Sequence, residues 1–552
     1  VTAVADAQPL TFAGFPGSAW AFALRSWLAL VIALYVSFWL QLDAPYSSAL
    51  TVAILAIPTR GQTMERAGFR LLGTVIGCAA SIAIVGLFTQ TQVLLLAGLA
   101  VWIGACVYVA ALLDGNRAYM AGIGVITVAL VALEHLDDPQ DIFDAATGRG
   151  AAIVVGILAV AFVNDLSAAP DYYPQVLAKL CDLHRRIAGY AERSVGGETL
   201  PATMAAGLLR ELTLLRPDIT GLAAESSAGP ARSAAARAAM VNLVAMFATA
   251  RALEGQPAGS PCASTLTDEL LRKHTEVHEN LAALRAGERP ARERHAPVYR
   301  SRRIALANGL RAVVYFGLAS AFFVIAGWPS ASAALALVAI LIGLSATMAD
   351  PTVTTRLAVI AAPISCIFAG LLEFVVLDGV DAFPLLAFAL APFVMGSALL
   401  MTRPNPVLAG FGRINLVFIV LLFLPTNPQS YDPQAFLFTC LFLLLATLLL
   451  AAIQIVLPPL SGERRIRWLA KSARRDLAAL EAGAGPRLAP EEAAFRDAAR
   501  IGAMMMAGGS APQNQPAVTQ AMACFDLAAR LRLCGSAASG GSFDAHRLQK
   551  EP

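Results

Sequence analysis

The sequence predicts an all-α polytopic membrane protein with about twelve transmembrane helices, arranged as two parallel six-helix repeats, each followed by a helical cytoplasmic domain. Three observations carry this expectation. Of 552 residues, 57% are hydrophobic and only 14% charged, with a mean hydropathy of +0.64, which is too apolar for a soluble chain of this size. The apolar residues gather into runs near the roughly 20 residues that cross the hydrocarbon layer. Landmarks also recur at a single offset of 286 residues: Arg25 with Arg311, Val52-Ala-Ile-Leu55 with Val338-Ala-Ile-Leu341, Arg70 with Arg356, and Arg117 with Arg403.

Residues 1–19 lack a charged-then-apolar start and a small-residue cleavage site, so they read as a cytoplasmic lead before a retained first span. The first transmembrane repeat covers 20–166, with crossings near 20–42, 46–59, 67–88, 92–113, 118–135 and 149–166. The second crossing is short, and Pro58 breaks or tilts it. Thr59–Arg66 and Asp114–Arg117 carry arginines, whereas Gln41–Tyr46, Thr89–Gln92 and the acidic Glu134–Gly148 lack them. By the positive-inside rule the N-terminus, and after even numbers of crossings the C-terminus, lies in the cytoplasm. Trp39, Tyr46 and Trp328 fall at the outer interface.

Residues 167–303 turn charged, alanine-rich and helical, with Pro/Gly punctuation, and end in the basic run Arg292–Arg303. This is the pattern of a cytoplasmic helical domain meeting an inner membrane face. The second repeat, 304–459, crosses near 304–326, 331–348, 356–377, 384–402, 405–425 and 435–457. Pro404, Pro406, Gly410 and Gly412 are read as interrupting its fifth crossing. An even number of crossings makes both repeats enter from the same face, hence parallel rather than inverted. The tail, 460–552, is a second cytoplasmic helical segment whose end, from about Gly535, reads as disordered.

Composition and motifs exclude several functions. A formal charge of +3 and no basic tract interleaved with aromatics argue against nucleic-acid binding. Cys78, Cys106, Cys366 and Cys440 sit in apolar runs, Cys181, Cys262, Cys524 and Cys534 in polar ones, and no Cys-x-x-Cys occurs, so neither disulfides nor zinc are expected. His274 and His278 stand one helical turn apart beside Glu276 and Glu279, a spacing that suits metal ligation. Arg272-Lys273 and Asp268-Glu269 make a solvated helix face the adopted reading. With no nucleophile elbow, zinc-protease helix, nucleotide loop or dinucleotide fingerprint, the chain is not expected to be an enzyme and no cofactor is implied.

The candidate functional residues are ionisable groups inside or at the mouths of apolar runs, where placement costs a few kcal/mol unless something pairs with them. Arg25 and Arg311 lie deepest and are the preferred contacts for an anion; the competing role is snorkelling to head groups. Arg70 and Arg356 stand at helix entries, where snorkelling alone accounts for them, yet four duplicated arginines could ring a vestibule that gathers carboxylates by bidentate pairing. Glu373, Asp43 and Asp114 are the candidates for proton coupling. Gly73 and Gly77 form a small-residue packing face. Moving one negative charge outward is already favourable by about 2.3 kcal/mol per 100 mV.

Ala23-Leu-Arg25, Gln41-Leu-Asp43-Ala-Pro45-Tyr46 before Ala49-Leu-Thr-Val-Ala53, Arg70-Leu-Leu-Gly73-Thr-Val-Ile-Gly77, and Pro139-Gln140-Asp141-Ile-Phe-Asp144 before Arg149, together with the order of apolar and helical blocks, resemble the fusaric acid resistance family of inner-membrane proteins. One departure is Ser47, where the family carries an aromatic. The resemblance implies export of small aromatic carboxylates from the cytoplasm by proton motive force; membrane potential alone could also drive modest export of an anion. It also implies a periplasmic membrane-fusion adaptor, needed because the outer connections read here are short. Plant malate channels are similar in layout, which makes an organic-anion channel the alternative. A homodimer is the candidate assembly, from alanine-rich helices with exposed small residues.

Overall fold

A computed structural model describes residues 11–535, except 59, 136–138, 168–170, 196–198, 255, 257–259, 329–330, 349, 380–381 and 486–487. Most of the expected cytoplasmic lead, part of the acidic connection after Glu134, and the expected disordered end beyond Gly535 lie outside the described residues. The chain forms two compact units, one of residues 1–170 and 302–459, the other of 171–301 and 460–552. Both are helical, apart from a two-residue hairpin, β1 (Thr11–Phe12) with β2 (Phe15–Pro16), that precedes the first helix.

The first unit contains α1 (Gly17–Trp39), α2 (Tyr46–Leu55), α3 (Arg60–Phe88), α4 (Gln92–Leu112), α5 (Gly115–Val128) and α6 (Ile142–Leu166). The chain leaves it for α7 (Tyr173–Val195), α8 (Ala202–Leu214), α9 (Arg216–Gly221), α10 (Gly229–Leu253) and α11 (Pro261–Ala286). It returns as α12 (Arg302–Ala326), α13 (Ala331–Ser345), α14 (Pro351–Leu371), α15 (Phe383–Met401), α16 (Pro406–Phe423) and α17 (Pro433–Val456). It then rejoins the second unit with α18 (Gly462–Glu481), α19 (Pro490–Met504) and α20 (Gln515–Cys534).

Eleven helices among the described residues are long and apolar enough to cross a membrane. Ten of them belong to the first unit and match expected crossings. The other two expected crossings, α2 and α13, have only 10 and 15 residues. At about 1.5 Å per residue they reach roughly 15 and 22 Å, short of a ~30 Å hydrocarbon layer. Both are enclosed by protein, and their matching Val-Ala-Ile-Leu tetrads are buried. A half-length helix is tolerable in a bilayer when its exposed backbone ends face protein or water rather than lipid.

The break expected in the fifth crossing of the second block is not there: α16 runs unbroken from Pro406 to Phe423. Pro406 occupies the first turn, where its missing N–H removes no helical bond, and the Asn405 side chain accepts from Val407 N at 2.9 Å. Gly410 and Gly412 serve contact instead, since a Cβ on Gly412 would come within 2.6 Å of Ser397 O.

Small residues set the helix spacing. Gly104 of α4 and Gly309 of α12 abut, as do Gly122 of α5 and Gly343 of α13; a Cβ on any of the four would approach opposing backbone oxygen to 3.0 Å or less. Gly73 and Gly77 of α3 likewise face α5 at Met120 and Thr127, which is the packing face read from sequence. Elsewhere α1 lies along α15, where Trp27 Nε1 donates to Ala387 O at 2.8 Å, and α2 along α16. Within α14–α16 a buried polar chain, Ser365 Oγ to Asn415 Oδ1 (2.7 Å) and Asn415 Nδ2 to Ser397 Oγ (2.9 Å), ties three helices together.

In the second unit α10, the eleventh apolar helix, is the core. Its residues Ala238–Leu253 are buried beneath α7, α11, α19 and α20. Ion pairs fasten the middle segment to the tail: Arg251 to Asp526 at 2.6 Å, and the buried Lys273 to Glu491 at 2.6 Å. Contrary to the expectation of no disulfide, Cys262 and Cys534 are bonded, with Cα atoms 5.6 Å apart. Their separation of 272 residues hides a proximity that arises only when α11 meets α20. His184 of α7 is buried, and that burial, with His274 and His278 beside it, lowers its imidazole to about 4.

Substituting Gly309 by Leu is expected to lower thermal stability in detergent by the equivalent of about 1–3 kcal/mol through overpacking against Gly104 and Tyr108. Gly317→Leu, with nothing within 4 Å of its Cβ position, leaves the melting temperature unchanged. Differential scanning fluorimetry on the two variants checks this.

Candidate functional site

Within the first unit a cationic cluster forms from α2, α3, α5 and α16. Arg70, ten residues into α3, does not snorkel. It is only 2% exposed; its Nη2 and Nε donate to Thr51 Oγ1 of α2 at 3.0 and 3.3 Å, and its Nη1 to Tyr119 OH of α5 at 3.3 Å. One turn earlier the Arg66 guanidinium lies over the Tyr119 ring, 4.5 Å from its centroid, and its buried Nε has no hydrogen-bond partner among the described residues. Arg413 of α16 is exposed and within electrostatic reach of both Arg66 and Tyr119.

Three guanidinium groups therefore converge around one phenol ring. No carboxylate is among their described partners; the nearby Glu65 instead accepts from Asn116 Nδ2 at 2.9 Å. Like charges held together with no counter-ion among the described residues make a strong field for an anion, and paired guanidinium groups match a carboxylate's two oxygens. The Tyr119 phenol adds an aromatic surface and a hydroxyl.

The other sequence-selected residues are dispersed. Arg25 is half-buried in a small cavity of about 20 Å³ with Ser26, Thr63 and Asn164. Arg311 lines a different one of about 50 Å³ with Asn308, Tyr315, Ser345 and Gln454. Arg356 is exposed on α14. Of the four, only Arg70 joins the cluster. Glu373 is 5% exposed on a π-helical turn, Leu372–Val376, that continues α14; Asp43 is exposed, and Asp114 precedes α5 half-buried.

Sequence reasoning passed over Arg66, Tyr119 and Arg413 as site residues. Arg413 carried a usable signal, since it lies seven residues inside an apolar run, but the Pro/Gly punctuation before it was read as a break. The opposite end of the unit holds two further arrangements. Arg149, 4% exposed, donates from Nη1 to Tyr46 OH at 3.2 Å, and Tyr46 OH donates to Glu134 Oε2 at 3.0 Å. A cavity of about 440 Å³ is walled by Tyr35, Phe38, Trp39, Phe383, Phe423 and Tyr431, a volume in the range of small-molecule pockets.

A family model described as "Fusaric acid resistance protein family" matches residues 19–263 and 255–534. The chain belongs to the fusaric acid resistance protein family. Its motif residues Tyr46 and Arg149 meet in the structure, and Arg70 anchors the cluster. The chain is 26% identical over 204 residues to the uncharacterised transporter YdhK of Escherichia coli K12, covering 36% of this chain and 30% of that protein. To the p-hydroxybenzoic acid efflux pump subunit AaeB it is 28% identical over 250 residues in Edwardsiella tarda (42% of this chain, 37% of the relative) and 31% over 170 residues in Yersinia enterocolitica (29% and 26%). The matched stretches thus span about a third of these curated relatives. No solved structure matches the chain. With many membrane-length helices among its described residues, it is a multi-pass membrane protein.

Arg70→Ala removes the donors to Thr51 Oγ1 and Tyr119 OH that tie α3 to α2 and α5, and about 1–3 kcal/mol of stability should go with them. Arg413→Gln, at an exposed position, should melt within a degree or two of the parent. Thermal unfolding of both proteins in detergent distinguishes the structural arginine from the accessible one.

Proposed function

We propose that the protein exports small aromatic carboxylates, hydroxybenzoate-like anions, and that Arg66, Arg70 and Arg413 around Tyr119 receive the carboxylate. The observation that carries this reading is the convergence of guanidinium groups without a carboxylate partner among the described residues, one of them with a buried Nε that has no hydrogen-bond partner there. Arg70, held by Thr51 and Tyr119, positions the array; Arg66 and Arg413 contact the ligand. An aromatic ring beyond the carboxylate stacks against Tyr119, and the aromatic-walled cavity at the opposite end receives it on its way out.

The transmembrane repeats are residues 20–166 and 304–459. Pairwise packing supports two parallel repeats: α4 on α12 corresponds to α1 on α15, and α5 on α13 to α2 on α16, with half-length helices at matching places. In this reading residues 167–303 and 460–552 are cytoplasmic, both termini face the cytoplasm of a bacterial inner membrane, and the cationic cluster faces inward, where it gathers anions. Proton motive force or membrane potential drives export, with Glu373, Asp43 and Asp114 as coupling carboxylates, and a periplasmic adaptor carries the product onward. The named function of the AaeB relatives supports the substrate class. Arg25 and Arg311, in their own cavities, are secondary contacts, and a homodimer is the proposed assembly.

Radiolabelled 4-hydroxybenzoate transport in proteoliposomes tests the reading. Arg66→Gln with Arg413→Gln should cut the rate at least tenfold, about 1.4 kcal/mol per decade, and Arg25→Ala with Arg311→Ala by less; a double Arg66/Arg413 variant that folds and transports at the parental rate sinks the proposal. Transport that follows voltage but ignores an imposed pH gradient excludes proton antiport, and single-channel currents in planar bilayers would select the anion-channel alternative.

A further inference from the structure

Half of the chain's six histidines meet in the second unit, on two helices. His274 and His278 stand one turn apart on α11, and His184 reaches them from α7. The three ring centroids form a near-equilateral triangle with sides of 4.9, 4.8 and 4.8 Å. One ligating nitrogen from each ring lies within 4.8 Å of the other two, and His184 Nε2 is 3.2 Å from His274 Nδ1. Apolar packing does not ask for three imidazoles at one point, and the single His184–His274 hydrogen bond leaves His278 unexplained.

We propose that His184, His274 and His278 form a binding site for a divalent transition-metal ion of the zinc type, closing α7 onto α11. Imidazole nitrogen is a preferred donor for such borderline ions. With metal–nitrogen bonds near 2.1 Å, tetrahedral ligands stand about 3.4 Å apart. The His184–His274 edge, at 3.2 Å, already has that length, and small side-chain rotations bring in His278. The graded burial suits a site loaded from solvent: His184 is buried, His274 half-buried and His278 exposed. Water fills the fourth position. Glu192, within electrostatic reach of His274, supplies the carboxylate that commonly orients a ligating imidazole from behind. The solvated helix face read from sequence at His274 and His278 is thus one wall of a three-ligand site whose third member lies 90 residues upstream of His274.

The test uses the full chain, purified without a histidine tag, stripped with chelator and dialysed against Zn²⁺, with bound metal counted by mass spectrometry. About one Zn²⁺ per chain is expected, and Co²⁺ in its place should give the intense visible absorption of a tetrahedral site. His278→Ala, at an exposed position, should weaken Zn²⁺ binding at least tenfold without changing the circular dichroism, and His184→Ala with His278→Ala should abolish the Co²⁺ bands. Substoichiometric Zn²⁺ in the parent protein overturns the proposal, and so does binding that the double variant retains, which would place the metal on cysteines. Because the readout is bound metal, its outcome is independent of transport.

Discussion

The first unit depends on the burial of Arg70. A guanidinium at 2% exposure among apolar helices is costly unless its donors are satisfied, and the Thr51 and Tyr119 hydroxyls satisfy it. Those bonds pin α3 to α2 and α5 at one depth. The consequence is geometric: with Tyr119 fixed by Arg70, Arg66 is stacked over the same ring, and α16, packed on α2, brings Arg413 to the opening. A structural arginine thereby holds two others in place, unpaired by any described carboxylate.

Glycine contacts make that arrangement possible. Gly73 and Gly77 let α3 lie against α5 closely enough for Arg70 to reach Tyr119. The abutting pairs Gly104–Gly309 and Gly122–Gly343 join the two halves of the unit at backbone distance. Without a hydrophobic driving force between helices in lipid, close packing and buried polar links such as Ser365–Asn415–Ser397 must do the joining.

Much of this was legible in the sequence. Ten membrane-length helices fall where the apolar runs are, and Gly73 and Gly77 declared their packing role by spacing. What was not legible depends on contacts between distant segments. Nothing local says that Arg70 points at Thr51 and Tyr119 rather than at head groups. His184 and Cys534 gain meaning only once α7 and α20 lie beside α11. Pro406 misled because a proline at a helix's first turn and one that breaks a helix look alike in sequence. The shortness of α2 was legible at Pro58, whereas that of α13 was obscured by apolar residues that continue past its end.

In the proposed transport reading the carboxylate sits among Arg66, Arg70 and Arg413. The most direct measurement is the position of bound 4-hydroxybenzoate in a cryo-electron microscopy map of the purified protein. Ligand density is expected against Tyr119, with its carboxylate within hydrogen-bond distance of Arg66 or Arg413. Density confined to the Arg25 or Arg311 cavity, with the cluster empty, would contradict it.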